Sequence, residues 1–153
     1  MKLFLDTSYF LPMVGIAVRG IPKDFPVKLM NEGHEIFMGE VSVFELCAKG
    51  AKYVAAGELP AERVTRGIRA VTNDERVGLI ATADTGVLLT AFKLREFMSD
   101  FVDCLIIASA VNRCDALITE DDLIHGLKKR RELSELLASE SPTFKIERAG
   151  DVL

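Results

Sequence analysis

The stretch Lys2-Leu3-Phe4-Leu5-Asp6-Thr7-Ser8 decides the fold by the way it stops. An unbroken apolar run of this length, closed by polar turn residues, reads as a short strand buried on both faces. Asp6-Thr7-Ser8 then offers the side-chain oxygens that start a helix. The pattern returns at Ala116-Leu117-Ile118-Thr119, which runs into Glu120-Asp121-Asp122. Two buried strands, each ending in an acid, imply a parallel sheet whose carboxyl ends meet a ligand.

Working outward, helical and strand-like segments alternate. Tyr9 to Val18 is expected to be helical with Pro12 in its first turn, and Pro22 to Glu32 forms another helix closed by Gly33. Glu35 to Met38 is the next strand. From Val41 the apolar residues recur at three- and four-residue spacing, with Ser42 as N-cap and Glu45 three residues later, as in a capping box. Leu59-Pro60-Ala61-Glu62 opens a helix with Val64, Ile68 and Val71 on one face. Val77 to Ala81 is a strand, and Asp84 caps a long helix through Leu88, Phe92, Arg95 and Met98. Asp103 to Arg113 is an apolar helix central to the fold; a charged helix containing Lys128 to Arg131 and a strand from Thr143 to Glu147 follow. The expected architecture is a three-layer α/β/α sandwich around a mostly parallel sheet.

With 153 residues, 49% hydrophobic and 27% charged, the chain suits one globular domain over residues 1–153. Its apolar runs fall well short of the roughly 20 residues a membrane helix needs. Leu3-Phe4-Leu5 is broken at once by Asp6, unlike a secretory leader, so the cytoplasm is the expected compartment. Cys47, Cys104 and Cys114 match no metal spacing and read as buried thiols. A net charge of −4 argues against a nucleic-acid partner, unless several acids surround a cation that cancels them.

Asp6, Glu45, Asp103 and Asp121 each lie beside apolar sequence and not in a solvated charge run. Converging carboxylates about 4 Å apart repel by roughly 4 kcal/mol per pair at an effective dielectric near 20, so they protonate or hold a cation. All-oxygen donors suit Mg²⁺ or Mn²⁺. Each acid also has a plainer role as a helix cap: Asp6 for the first helix, Glu45 with Ser42, Asp103 for the apolar helix, Asp121 for the last. His34 and His125 read as surface residues, and no Ser/His/Asp order points to covalent chemistry.

"LFLDTSYFL" from Leu3, "EVSVFELCAK" around Glu45, "DCLIIASAV" at Asp103 and "ALITEDD" at Ala116 resemble, in that order, the signature segments of PIN-domain proteins. The resemblance implies a metal-dependent endoribonuclease, most often the toxin of a VapBC toxin–antitoxin pair. Carried over, Asp6, Glu45, Asp103 and Asp121 take the catalytic and metal-holding positions, Ser8 the small hydroxyl after the first Asp, and Thr119 the Thr of Thr-x-Asp. Glu120 and Asp122 flank Asp121 and compete with it for the outer position. Asp100 ranks lower, because the apolar helix is expected to begin only after Asp103.

Lys49, Lys52, Lys128 and Lys129 are candidate RNA phosphate contacts, or simply solvated charges. Expected partners are RNA, a small antitoxin and a second copy of the chain; the homodimer rests on Tyr9, Phe10, Leu11 and Tyr53 read as exposed. A haloacid-dehalogenase-type phosphatase would need a second Asp where Ser8 stands. A stand-alone RNA-processing nuclease, a non-catalytic scaffold and a structure-specific DNA nuclease are the other readings.

Overall fold

Leu3 and Leu5 point to one side of β1 (Lys2–Leu5) and Phe4 to the other, and all three are fully buried. That alternation sorts the interior into two cores. In the computed structural model, which describes all of Met1–Leu153, Leu3 and Leu5 join one cluster with Phe25, Leu46 and Val64, while Phe4 joins another with Val87, Leu94 and Ile107. β4 (Ala116–Ile118) repeats the device, with Ala116 and Ile118 in the first cluster and Leu117 in the second. Both faces of the sheet are therefore covered, as the expected sandwich requires.

The other strands are β2 (Glu35–Gly39), β3 (Val77–Ile80) and β5 (Lys145–Glu147). They stand in the order β3-β2-β1-β4-β5, and every pairing is parallel. The chain builds outward from β1 through β2 to β3, then crosses back to lay β4 and β5 on the opposite side. The direction of winding switches between β1 and β4, and the crevice beyond their carboxyl ends is where such sheets bind ligands.

Helices α1 (Phe25–Asn31), α2 (Glu40–Ala55) and α3 (Ala61–Thr72) serve the first core. The second takes α4 (Thr85–Leu94), α5 (Phe101–Arg113), α6 (Asp122–Leu127) and α7 (Arg131–Glu140), and a short α8 (Ala149–Val152) ends the chain. α5 buries every residue from Cys104 to Val111, which makes it the central helix its composition announced.

Several expectations need correction. The Tyr9–Val18 helix is two short 3₁₀ turns, Thr7–Tyr9 and Leu11–Val14, closed by Gly15 at φ 98. Tyr9, Phe10 and Leu11 are buried, so they are core and not a self-association surface. Tyr9 stacks on Phe25 with centroids 4.7 Å apart. Helix α2 starts at Glu40 with Gly39 as N-cap, which places Ser42 and Glu45 inside it and dissolves the capping box. α5 starts at Phe101 behind Asp100, one turn earlier than expected. The last charged helix is two, α6 and α7, separated at Lys128–Arg130. Cys47 is exposed; Cys104 and Cys114 are buried, with burial pushing the Cys114 thiol up to about 12. No helix is long and apolar enough to cross a membrane.

Gly67 marks a close approach of α3 to the chain's backbone. A Cβ there would lie 2.4 Å from the Met13 carbonyl oxygen and 2.6 Å from the Val14 Cα. Those atoms are backbone, which no rotamer change can move aside. Although alanine favours a helix by up to about 1 kcal/mol over glycine, Gly67→Ala is expected to destabilise the fold by a net ~1–3 kcal/mol. Calorimetry should show Tm lower by roughly 3–10 °C; an unchanged or higher Tm would contradict the packing.

Candidate active site

Asp6 is the first residue past β1, and its backbone N–H extends the ladder to the Ile118 carbonyl at 3.1 Å. The sheet thus fixes the backbone of a carboxylate at the crevice. Its two oxygens are taken by different hydroxy-residues: Thr7 N–H donates to Oδ1 at 2.6 Å and Thr119 Oγ1 donates to Oδ2 at 2.8 Å. Thr7 then reaches across with its own hydroxyl, which donates to Glu45 Oε1 at 2.6 Å. Asp6 and Glu45 are therefore joined through one buried threonine.

Burial raises the proton affinity of Asp6. The bonds from Thr119 and Thr7 pull it back, Glu45 raises it and Lys49 lowers it, and the net direction is upward. Asp103 is pushed up to about 6, first by burial and then by the negative charges of Asp100, Asp121, Asp6 and Glu45. Each of the four sequence-predicted acids enters these interactions. The charge is undercompensated, and its cause is the convergence of like-charged groups in a partly dry crevice.

The three consecutive acids after β4 separate cleanly. Asp121 caps α6, with Oδ1 accepting from Leu123 N–H at 2.7 Å and Ile124 N–H at 3.2 Å. Its own N–H donates to Thr119 Oγ1 at 3.1 Å, which ties it to the hydroxyl that serves Asp6. Capping and facing the site are thus compatible roles for one carboxylate. Glu120 instead accepts from Tyr9 Oη at 2.8 Å, and Asp122 pairs with Arg148 Nη2 at 2.7 Å. Asp100, ranked low by sequence, is the N-cap of α5, accepting from Val102 N–H at 2.9 Å. Asp103 is accordingly not the cap and keeps its carboxylate for the crevice.

Among the supporting candidates, Thr119 is fully buried between Asp6 and Asp121, and Ser8 Oγ is buried with no protein partner. Lys49, one turn beyond Glu45, is the cation that registers on Asp6. Lys52 is exposed on the same helix and Lys129 makes no ion pair. Lys128 is committed to the Ile146 carbonyl, 2.9 Å from Nζ. His125, read as a surface residue, is buried with Nε2 2.8 Å from the Thr119 carbonyl. Glu120, read as a competitor of Asp121, and Tyr9, read as exposed, instead bond each other, while Thr7 and Arg148 escaped sequence reasoning. Only Thr7 carried a signal, as the hydroxyl next to the strand-terminal Asp.

A divalent cation fits this donor set: oxygen ligands only, excess negative charge, and a buried unpartnered hydroxyl two residues from Asp6. No three acidic, histidine or cysteine side chains stand close enough to enclose an ion by themselves. Hydrated Mg²⁺ needs no such cage, since it is typically held through one or two carboxylates and its own water.

Asp103 holds its proton more tightly folded than unfolded, so cation-free protein loses stability as pH rises from about 4 to about 6 and does not regain it above. Asp103→Asn removes that cost. Solvent still reaches this residue, so ~1 kcal/mol is the expected gain, raising the Tm of chelator-treated protein at pH 7.5 by roughly 2–4 °C. At pH 5 the gain should be smaller; no gain at pH 7.5 would refute the charge crowding.

Comparison with curated protein sequences gives no significant match. Among solved structures, VapBC2 from Rickettsia felis, solved bound to a DNA fragment from their promoter, shares the fold with a TM-score of 0.61 at 14% identity, covering 97% of this chain and 98% of that one. VapBC-1 from nontypeable Haemophilus influenzae gives a TM-score of 0.60 at 17% identity, covering 98% and 99%. The PIN-domain family model matches residues 3–133, running from β1 into α7 and taking in all four converging acids. On the strength of that match, the chain belongs to the PIN-domain family.

Proposed function

We propose that the chain is a metal-dependent endoribonuclease that hydrolyses phosphodiester bonds in single-stranded or loop RNA. The observation that carries this reading is the convergence of Asp6, Glu45, Asp103 and Asp121 on the winding switch of the sheet, with Asp6 and Asp103 holding protons more tightly than ordinary carboxylates. PIN-domain nucleases generally use divalent metal ions; Mg²⁺ or Mn²⁺ matches the oxygen donors here.

Asp6, Asp103 and Asp121 would hold the cation, with Glu45 beside them. A divalent cation held there would supply charge neutralisation for a scissile phosphate and acidify a water. Glu45 has one oxygen engaged by Thr7 and the other without a protein partner, which suits it to orient that water and take its proton. Thr119 and Thr7 keep the acids in place throughout, so little reorganisation is needed as charge moves. Lys49 and Lys52 on α2 supply phosphate contacts, and unpaired bases set any preference.

Membership of a toxin–antitoxin pair is proposed from the likeness to the two VapBC structures. In that setting the chain is the toxin and acts in the cytoplasm. A homodimer is proposed from Leu89, Phe92 and Phe101, which are exposed; Phe92 and Phe101 stack at 5.7 Å. Light scattering should give twice the chain mass, and the chain should co-purify with the product of a small adjacent reading frame. A monomer without such a partner would favour a stand-alone RNA-processing nuclease.

The decisive assay incubates structured RNA with the protein, with and without Mg²⁺ or Mn²⁺. Chelation should abolish cutting. Asp6→Asn and Asp103→Asn should each lower the rate by about 10²-fold or more, while staying folded. Activity equal to wild type in both variants would reject the assignment. A folded, inhibitor-free wild type that fails to cut RNA whichever divalent metal is supplied would point to a non-catalytic PIN-like scaffold.

A further inference from the structure

The chain's last residues grip the turn that carries Asp121. Arg148 Nη1 donates to the Glu120 carbonyl and to Glu120 Oε2, both at 3.1 Å, while Nη2 donates to Asp122 Oδ1 at 2.7 Å. Glu120 Oε1 also accepts from Ala149 N–H at 2.9 Å and from Tyr9 Oη at 2.8 Å. One guanidinium therefore binds the acids on both sides of Asp121 and leaves Asp121 alone. A planar fork bridges two carboxylates from two nitrogens held in fixed geometry, which the single nitrogen of an ammonium does not reproduce.

Arg148 is itself held: its N–H donates to Asp151 Oδ2 at 3.0 Å. Tyr9 is fully buried, which anchors the other end of the network in the core. The acids on either side of Asp121 are thus committed to Arg148, Tyr9 and Ala149, which ties the turn between them to the C-terminal segment.

We propose that Arg148, with Glu120 and Tyr9, forms a clip that positions Asp121 and the Thr119 hydroxyl at the acidic centre. These are positioning residues. The inference rests on the metal-nuclease reading and extends it to the C-terminal segment, which lies beyond the residues matched by the family model.

The test is Mn²⁺ affinity of the full chain, measured by calorimetry or by the electron-paramagnetic signal of free Mn²⁺. Plain electrostatics says that deleting a cation beside an acidic centre tightens Mn²⁺ binding. The clip says the reverse. Arg148→Ala should weaken Mn²⁺ roughly 10-fold, and Arg148→Lys, which keeps the charge without the fork, should resemble Arg148→Ala more than wild type. Tyr9→Phe changes no charge and keeps the ring in the core, yet should weaken Mn²⁺ roughly threefold by releasing Glu120; it serves equally if an Arg148 variant fails to fold. Unchanged or tighter binding in Arg148→Ala or in Tyr9→Phe overturns the clip while leaving the metal site standing. Wild type that binds no Mn²⁺, with Asp6→Asn indistinguishable from it, overturns clip and metal site together.

Discussion

A carboxylate buried at the end of a central strand is a standing electrostatic problem, and in this protein the problem is Asp6. Its position follows from β1, whose N–H and carbonyl groups are locked between β2 and β4. The strand cannot shift by one residue without turning Leu3, Phe4 and Leu5 to the wrong cores. The acid must therefore be accommodated where the sheet delivers it. Thr7 and Thr119 do this with hydrogen bonds, while burial, with Glu45 adding to it, keeps the proton affinity high. The remaining features of the crevice are responses to that constraint.

Two threonines knit the response together across great distances in sequence. Thr119 links Asp6 to the backbone of Asp121, and Thr7 links Asp6 to Glu45. His125 holds the carbonyl of Thr119, and the Thr119 N–H continues the β4–β5 ladder to Glu147 at 3.0 Å. A hydroxyl between carboxylates serves better than a cation would. It satisfies lone pairs without cancelling the charge that a metal ion would need.

The sheet was legible in sequence because buried parallel strands are continuous apolar runs, and the candidate acids Asp6 and Asp121 stand just beyond two of them. Capping assignments were less legible. Ser42 and Glu45 mimic a capping box at the right spacing, yet β2 runs directly into α2, so tertiary geometry places the helix start at Glu40. Asp100 and Asp103 are alternative caps three residues apart, and only packing of α5 selects the first. The apolar Tyr9–Val18 stretch looks helical, but Pro12 and the tight approach of α3 at Gly67 leave room for 3₁₀ turns alone. Arg148 gave no local signal. Its partners Glu120 and Asp122 lie 28 and 26 residues away, joined only through β5.

The bond between Thr119 and Asp6 spans 113 residues of chain. Synthesis delivers Asp6 and Glu45 early, Asp103 later, and Thr119, Asp121 and Arg148 near the end. A partly made chain thus holds β1, β2 and β3, but lacks β4, the strand that completes the crevice. Closing so long a loop is entropically expensive, and the acidic centre depends on that closure. The centre is thereby incomplete until synthesis has passed β4 and reached Arg148.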